Sequence, residues 1–135
     1  MNLALKNVTV LVVEDDADNS ELLRSILEQA GASVMVARSV DEALDLQRQS
    51  PPHVVVADIR LGSSDGFALI KAVREYNLEY RGFTPAVAIT GYSSPEDEKR
   101  AIAAGFNAYL VKPVDPVDVV QTVTKVLRDS SDQAA

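Results

Sequence analysis

Three acidic residues follow the first apolar run of the chain directly. Residues 10–16 read VLVVEDD, so Glu14, Asp15 and Asp16 come immediately after four aliphatic side chains. Two carboxylates about 4 Å apart repel each other by roughly 4 kcal/mol at an effective dielectric constant of about 20. Acids held this close together therefore either take up protons or bind a cation.

Further polar residues stand at the ends of later apolar runs. Asp58 follows the third run, Thr90 ends the fourth and Lys112 follows the fifth. Each has a purely structural interpretation, because an acid can cap a helix and a lysine is usually a surface residue. Their shared position is more telling, since ligands of open parallel sheets bind outside the carboxyl ends of the strands. The pattern favours one site at that edge.

The residue types at these positions indicate a hard metal ion and phosphate chemistry. Glu14, Asp15 and Asp58 offer only oxygen ligands, which suit Mg²⁺ better than a softer ion. With Mg²⁺ present an aspartate can serve as the nucleophile for a phosphoryl group. Phosphorylation of Asp58 would change the site charge from about −3 to about −4, against about +3 from Mg²⁺ and Lys112. The charge balance therefore favours Asp58 as a phosphoacceptor over a bare acidic patch.

Five short apolar runs alternate with segments of helical periodicity. The strand-like runs are residues 8–13, 33–37, 53–57, 86–90 and 108–111, and they lack polar alternation, as expected of strands buried on both faces. Helices are predicted between them from apolar stripes and from cap patterns such as Ser39 with Glu42 and Ser94 with Pro95. The third helix is predicted over 66–76, followed by an aromatic connection at 76–85. The order predicts a parallel α/β sheet with helices on both faces.

Length and composition limit the class of protein. A chain of 135 residues is most simply one domain, and a net charge of −7 argues against direct nucleic-acid binding. The chain has no cysteine, no apolar run near the length of a membrane span and no signal-peptide layout at its start. We expect a cytoplasmic protein with no membrane partner.

Four motifs together resemble the receiver domain of two-component response regulators of the chemotaxis-regulator type. They read VLVVEDD, VVVADIRLGSSDGF, AVAITGY and NAYLVKP, in this order, and the likeness covers about residues 8–127. The resemblance implies a doubly wound, flavodoxin-like (βα)5 fold with five parallel strands in the order 2-1-3-4-5. It implies a receiver domain over residues 1–128, and residues 129–135 read as a flexible tail.

The resemblance also implies roles for the residues at the strand ends. Glu14 and Asp15 would be the acidic pair for Mg²⁺, Asp58 the phosphorylated residue, and the backbone carbonyl of Arg60 a further metal ligand. Lys112 would form an ion pair with the phosphoryl group. Asp16 matches neither acid of the pair and is left as the start of a helix.

The resemblance also implies which residues control switching and the lifetime of the phosphoryl group. Thr90 would contact the phosphoryl group and act with Tyr109, the switch aromatic, to change the surface formed by helix 4, strand 5 and helix 5. Arg60 and Tyr92 stand two residues beyond Asp58 and Thr90, where this family tunes the lifetime of the phosphoryl group.

The implied function is a phosphorylation-dependent signalling switch, not an enzyme beyond its own phosphorylation and dephosphorylation. A sensor histidine kinase or a histidine phosphotransfer protein would supply the phosphoryl group. A downstream protein or a fused domain would read the helix 4, strand 5 and helix 5 face, which could also form a dimer. The cognate kinase, the signal, and the choice between a stand-alone protein and a receiver cut from a hybrid kinase stay open.

Three other functions fit parts of this pattern. An Mg²⁺-dependent phosphohydrolase with an aspartate nucleophile would carry a second acid two residues later, where Arg60 stands. A flavin-binding electron carrier needs a phosphate loop after the first strand, where Glu14, Asp15 and Asp16 would repel the phosphate. A degenerate receiver that binds partners without phosphorylation is disfavoured by the intact set of site residues.

Overall fold

The computed structural model describes residues 3–61, 64–80, 82–91 and 94–134. It contains a five-stranded parallel sheet whose strands alternate with five helices along the chain. The strands are β1 (Thr9–Val13), β2 (Ser33–Ala37), β3 (Val54–Asp58), β4 (Ala86–Thr90) and β5 (Ala108–Val111). The helices are α1 (Ala17–Gln29), α2 (Val40–Gln49), α3 (Gly66–Tyr80), α4 (Pro95–Ala104) and α5 (Pro116–Ala134).

The strand order is β2-β1-β3-β4-β5, which confirms the predicted doubly wound topology. All neighbouring strands of this sheet are parallel, with Val13 paired to Ala37 on one side and to Ala57 on the other. β1 and β2 end at the same level of the sheet, β3 ends one residue beyond them, and β4 and β5 end two residues beyond. A sheet built this way gathers the residues that follow its strands along a single edge.

The sheet is covered on both faces, and this explains the unbroken apolar runs. The side chains of β3 and β4 are buried along their whole length. One core layer combines α1 and α5 with residues such as Val10 and Val12, and the other combines α2, α3 and α4 with residues such as Leu11 and Val13. Alternate side chains of β1 thus enter opposite layers, as the two-residue period of a strand requires.

Local caps fix the starts of the helices. Asp16 is the N-cap of α1, where its Oδ1 accepts a hydrogen bond from the Asn19 N–H at 2.9 Å. Ser39 caps α2 by accepting from Glu42 N–H at 3.1 Å, and Glu42 accepts in return from the N–H of Arg38 at 3.2 Å. Ser94 caps α4 in the same way, with Pro95 in its first turn. These contacts satisfy N–H groups that a helix start leaves unpaired.

Two helices extend further than their sequence patterns indicate. α3 continues to Tyr80, where the rings of Tyr76 and Tyr80 lie 4.5 Å apart between centroids on adjacent turns, so part of the predicted connection is helical. α5 continues to Ala134, beyond the position where the tail was predicted to begin. The flexibility of that segment stays a prediction.

A small feature between β3 and α3 was not predicted. The segments Arg60–Leu61 and Ser64–Asp65 form a two-stranded antiparallel ladder. None of the helices in the described ranges combines the length and the hydropathy needed to span a bilayer.

Candidate functional site at the carboxyl edge of the sheet

Backbone pairing brings the polar residues at the strand ends together. Glu14 follows β1, Asp58 and Thr90 are the last residues of β3 and β4, and Lys112 follows β5. The N–H of Lys112 donates to the carbonyl of Thr90 at 2.7 Å, and that of Ile59 donates to the carbonyl of Ile89 at 3.0 Å. The edge predicted from the sequence is therefore formed by β1, β3, β4 and β5.

Lys112 lies between two buried carboxylates. Its Nζ donates to Oδ2 of Asp58 at 2.6 Å and to Oε2 of Glu14 at 3.4 Å. The Glu14 and Asp58 side chains are 1% and 9% exposed, whereas that of Lys112 is 24% exposed. The cation reaches the acids from the solvent side and leaves part of its own surface open. The peptide bond that follows it, Lys112–Pro113, is cis.

The two acids carry more negative charge than Lys112 offsets. Burial, together with the hydrogen bond and the charge of Asp58, raises the pKa of Glu14 to about 7, although Lys112 and the N–H of Asp16 oppose the rise. Partial burial alone would lower the pKa of Lys112, but the hydrogen bonds and charges of Asp58 and Glu14 raise it above its ordinary value. A further positive charge would therefore be stabilised at this site.

Asp58 is held by its own loop. The N–H of Arg60 donates to Oδ1 of Asp58 at 2.9 Å, which leaves Oδ2 to Lys112. Gly66, the first residue of α3, packs against the same loop, and a Cβ there would lie 2.8 Å from the Cα of Ile59 and 3.1 Å from the carbonyl oxygen of Asp58. Gly66 is not among the residues predicted from the sequence, although a glycine soon after the aspartate was the available signal.

The three acids after β1 have different environments. Glu14 is buried beside Asp58, Asp15 is exposed, and Asp16 caps α1 as predicted. Within the described ranges, no three side chains of the His, Cys, Asp and Glu types are gathered closely enough to hold a metal ion. Glu14 and Asp58 nevertheless fit a hard divalent cation, because both are buried oxygen donors whose joint charge is not fully offset. The place of Asp15 among the ligands stays a prediction.

The predicted switch residues lie on neighbouring strands. Thr90 is 2% exposed at the end of β4, and Tyr109 is half-buried on β5. Partial burial and the negative charges of Asp97 and Glu98 on α4 raise the pKa of the Tyr109 hydroxyl. That hydroxyl therefore senses the first turn of α4. Arg60 is exposed, and Tyr92 lies outside the described residues.

An apolar groove of about 320 Å³ adjoins the site. It runs between α1 and the segment after β5, with Leu22 and Leu23 on one side and Pro113 and Val114 on the other. Lys112 also lines this groove. Leu22 is 50% exposed at this groove.

Comparison with known proteins agrees with this geometry. Residues 10–124 match the protein family described as response regulator receiver domain. An uncharacterized 14.6 kDa protein of Leptolyngbya boryana is 44% identical over 120 residues, covering 88% of this chain and 89% of that protein. The polar-differentiation response regulator DivK of Brucella ovis is 32% identical over 122 residues, covering 90% of this chain and 98% of its own length.

A solved structure gives the same result. The chemotaxis protein CheY4 of Vibrio cholerae superposes with a TM-score of 0.81 at 31% identity, and the match covers 88% of this chain and 98% of that one. Relatives of nearly the same length therefore share both the sequence pattern and the fold.

Proposed function

This chain belongs to the response regulator receiver domain family of two-component signalling, and from that premise we propose that Asp58 is its phosphoacceptor. Receiver domains pair with histidine kinases and are typically phosphoacceptor switches rather than catalytic enzymes. The observation that carries the proposal is the 2.6 Å contact between Nζ of Lys112 and Oδ2 of Asp58 at the carboxyl edge of the sheet.

The proposed reaction is an in-line transfer from a phosphohistidine of a kinase or phosphotransfer protein. The P–N bond to the imidazole breaks, the P–O bond to a carboxylate oxygen of Asp58 forms, and the departing imidazole takes up a proton. The N–H of Arg60 holds the other oxygen in place, since it already donates to Oδ1 at 2.9 Å. Lys112 then pairs with the phosphoryl group instead of the free carboxylate.

Magnesium would bind beside Asp58. We assign Glu14, Asp15, Asp58 and the backbone carbonyl of Arg60 as its ligands, with Glu14 and Asp58 supported by their burial and by the raised pKa of Glu14. When bound, the ion supplies the positive charge that offsets the developing charge on the phosphoryl oxygens. Without it, Glu14 keeps a proton near neutral pH more readily than an exposed glutamate does.

The signal would leave through the face of α4, β5 and α5. Thr90 approaches the phosphoryl group, and Tyr109 turns toward the space that Thr90 leaves. The equilibrium between the inactive and active conformations of the surrounding surface shifts as a result. Ile102 and Val111 on this face are 47% and 39% exposed, which fits a contact surface for a downstream protein, a fused domain or a second copy.

Intact-mass measurement after incubation with acetyl phosphate tests the phosphoacceptor. The wild type with Mg²⁺ should gain one phosphoryl group, and Asp58→Asn should gain none. Asp45→Asn, a change at an exposed acid of α2, should leave the adduct unchanged. An adduct that forms equally well without Mg²⁺, or that persists in Asp58→Asn, would contradict the assignment.

The docking site of the donor can be tested separately from the chemistry. We place the donor's histidine-bearing helix over the groove beside Lys112, because Leu22 is exposed there. Leu22→Glu should reduce transfer from a phosphotransfer protein by about tenfold or more while leaving acetyl phosphate labelling within about twofold of wild type. Leu78→Glu, at an exposed position of α3 outside the groove, is the matched control, and an equal loss with both donors would contradict the docking assignment.

Arg60 and Tyr92 are proposed to tune the lifetime of the phosphoryl group by controlling the access of water to it. The dephosphorylation rate of Arg60→Ala combined with Tyr92→Ala should differ from that of the wild type. A rate identical to wild type would refute this role.

A further inference from the structure

The guanidinium of Arg74, on α3, uses all five of its N–H groups in hydrogen bonds. Nε and Nη2 donate to the carbonyl of Gly105 at 3.2 and 2.7 Å, and Nη2 also donates to Oδ1 of Asn107 at 2.9 Å. Nη1 donates to Oδ1 of Asn77 at 2.8 Å and to the carbonyl of Thr84 at 2.7 Å. Every one of these acceptors is neutral, and burial lowers the pKa of Arg74. A planar fork with all donors engaged has one orientation available to it.

The acceptors join α3 to two other parts of the chain. Thr84 precedes β4, while Gly105 and Asn107 form the turn between α4 and β5. Asn107 also accepts from the N–H of Ala86 at 2.9 Å and donates its own N–H to the carbonyl of Ala86 at 2.8 Å. The last turn of α4 is therefore tied to both α3 and the first residue of β4.

Gly105 gives this end of α4 its geometry. It is the C-cap residue, with φ of 124°, and a Cβ at this position would lie 3.3 Å from Cγ and Nε of Arg74. The backbone can thus reverse direction and approach the guanidinium closely at the same residue. The Phe83 ring covers the guanidinium at 4.5 Å.

Among the described residues, a second guanidinium contact between α3 and α4 is much less restrictive. Arg100, in the middle of α4, lies over the Phe67 ring at 4.3 Å, and its side chain is exposed. A cation held over a ring at the surface is weakly constrained compared with a half-buried guanidinium that makes five hydrogen bonds. The C-terminal end of α4 is therefore held to α3 and β4 by more hydrogen bonds than its middle, while the Ser94 cap at its start is a contact local to the helix.

We propose that Arg74 is a positioning residue that pins the C-terminal end of α4, so that α4 moves by pivoting at Gly105 while its first turns swing. The unequal restraint is a property of the resting fold. Its use in signalling rests on the proposed function, because the trigger would arrive from Thr90 at the end of β4, on the side of the first turns. A partner would then read a tilt of α4 and not a translation of the whole helix.

Amide hydrogen exchange followed by NMR tests whether Arg74 restrains the C-terminal end of α4, and it needs no phosphoryl group. Arg74→Lys keeps the charge but loses the fork, and should speed exchange at Gly105, Phe106 and Asn107 by about tenfold, after correction for global stability, while residues 98–100 stay within about twofold of wild type. Arg100→Met is the matched control and should leave residues 105–107 within about twofold. Equal acceleration along the whole of α4, or none at residues 105–107, would overturn the proposal.

A second measurement uses the wild type, so its result does not depend on whether Arg74→Lys folds correctly. Amide chemical shifts are compared with and without Mg²⁺ and beryllofluoride, a mimic of the phosphoryl group. Shift changes should be large over residues 96–100 and absent at 105–107, and Arg74→Lys should spread them to 105–107. Changes in the wild type as large at 105–107 as at 96–100 would overturn the pivot. A complete lack of response would instead count against Asp58 as phosphoacceptor, and the exchange experiment would still decide the role of Arg74.

Discussion

The Nζ of Lys112 lies 2.6 Å from Oδ2 of Asp58 and 3.4 Å from Oε2 of Glu14, so one cation faces two buried carboxylates. The nearer contact is a short, charge-assisted hydrogen bond. The longer one leaves Glu14 only partly compensated, in keeping with the opposite contributions of Asp58 and Lys112 to its pKa. The stability of the protein should therefore depend on pH through Glu14 and Lys112.

Removing the cation should destabilise the protein more at high pH than at low pH. We expect Lys112→Met to lower the free energy of unfolding by about 1 to 3 kcal/mol at about pH 8, because two buried acids would then lack a partner. Near pH 5 the loss should be smaller, since protonation of Glu14 relieves the repulsion. Urea denaturation at both values measures the difference, and Lys125→Met, at an exposed position of α5, is the control. A loss that is the same at both pH values would contradict the account.

Glu14 should make the metal-free protein less stable as the pH rises. Its pKa is about 7 in the folded state against 4.5 for the ordinary side chain. An acid whose pKa is raised by folding contributes stability that is fully present below the unfolded value and is lost as the pH rises through the folded value. Relative to Glu14→Gln, the wild type should lose roughly 2 to 3 kcal/mol between about pH 4.5 and pH 7.5.

Thermal or urea unfolding across this pH range in the presence of a chelator measures the effect of Glu14. Glu21→Gln, an exposed acid of α1, should leave the wild-type pH dependence in place. Added Mg²⁺ should raise the stability of the wild type most at the upper end of the range and should do so less in Glu14→Gln. If Mg²⁺ stabilised both proteins equally at every pH, Glu14 would not be part of the metal site.

Gly66 should be intolerant of even one added methyl group. An alanine Cβ would lie 2.8 Å from the backbone of Ile59, so the loop that carries Asp58 would have to shift. We expect Gly66→Ala to lower the free energy of unfolding by about 1 to 3 kcal/mol and to slow labelling by acetyl phosphate. Gly91→Ala is the matched control, because a Cβ at Gly91 has no heavy atom within 4 Å among the described residues, and its unfolding free energy should stay within about 0.5 kcal/mol.

The contrast between Ser39 and Arg74 illustrates how far the sequence could predict this fold. Ser39 caps a helix through a residue three positions away, and such short spacings are readable from the chain. The five apolar runs are readable for the same reason, and the rule that parallel strands present ligands at their carboxyl ends then brings Asp58 and Lys112 together. The hydrogen bonds of Arg74 to Gly105 and Asn107 span more than thirty positions and have no local pattern.

The site likewise has features that the sequence predicts and features that only the folded structure shows. Its residue types and strand positions were predictable, but the sequence could not show that Glu14, and not Asp15, is the acid buried beside Asp58. Successive residues after a strand differ in burial according to how the following loop folds. The close packing of Gly66 on Ile59 is likewise visible only once α3 is positioned against β3.

A buried amide on α2 should cost stability that a substitution can recover. Gln47 is 1% exposed, and neither its Nε2 nor its Oε1 has a hydrogen-bond partner among the described residues. An unsatisfied buried polar group costs about 1 to 3 kcal/mol, so Gln47→Met, which is close in size, should raise the free energy of unfolding by about 1 kcal/mol or more. Gln49→Met, at an exposed position of the same helix, should change it by less than about 0.5 kcal/mol. A destabilised Gln47→Met would mean that the amide has a partner, such as a buried water, that contributes to folding.

The hydroxyl of Tyr109 should report the charge on the first turn of α4. Partial burial raises its pKa, and Asp97 and Glu98 raise it further. Replacing both acids, as Asp97→Asn with Glu98→Gln, should lower the pKa of Tyr109 toward its ordinary value, because less negative charge then opposes formation of the phenolate. NMR titration of the labelled Tyr109 ring carbon, assigned with Tyr109→Phe, measures the shift. Glu96→Gln lies in the same turn and should have a smaller effect; an unchanged pKa in the double variant would show that burial alone sets the titration of Tyr109.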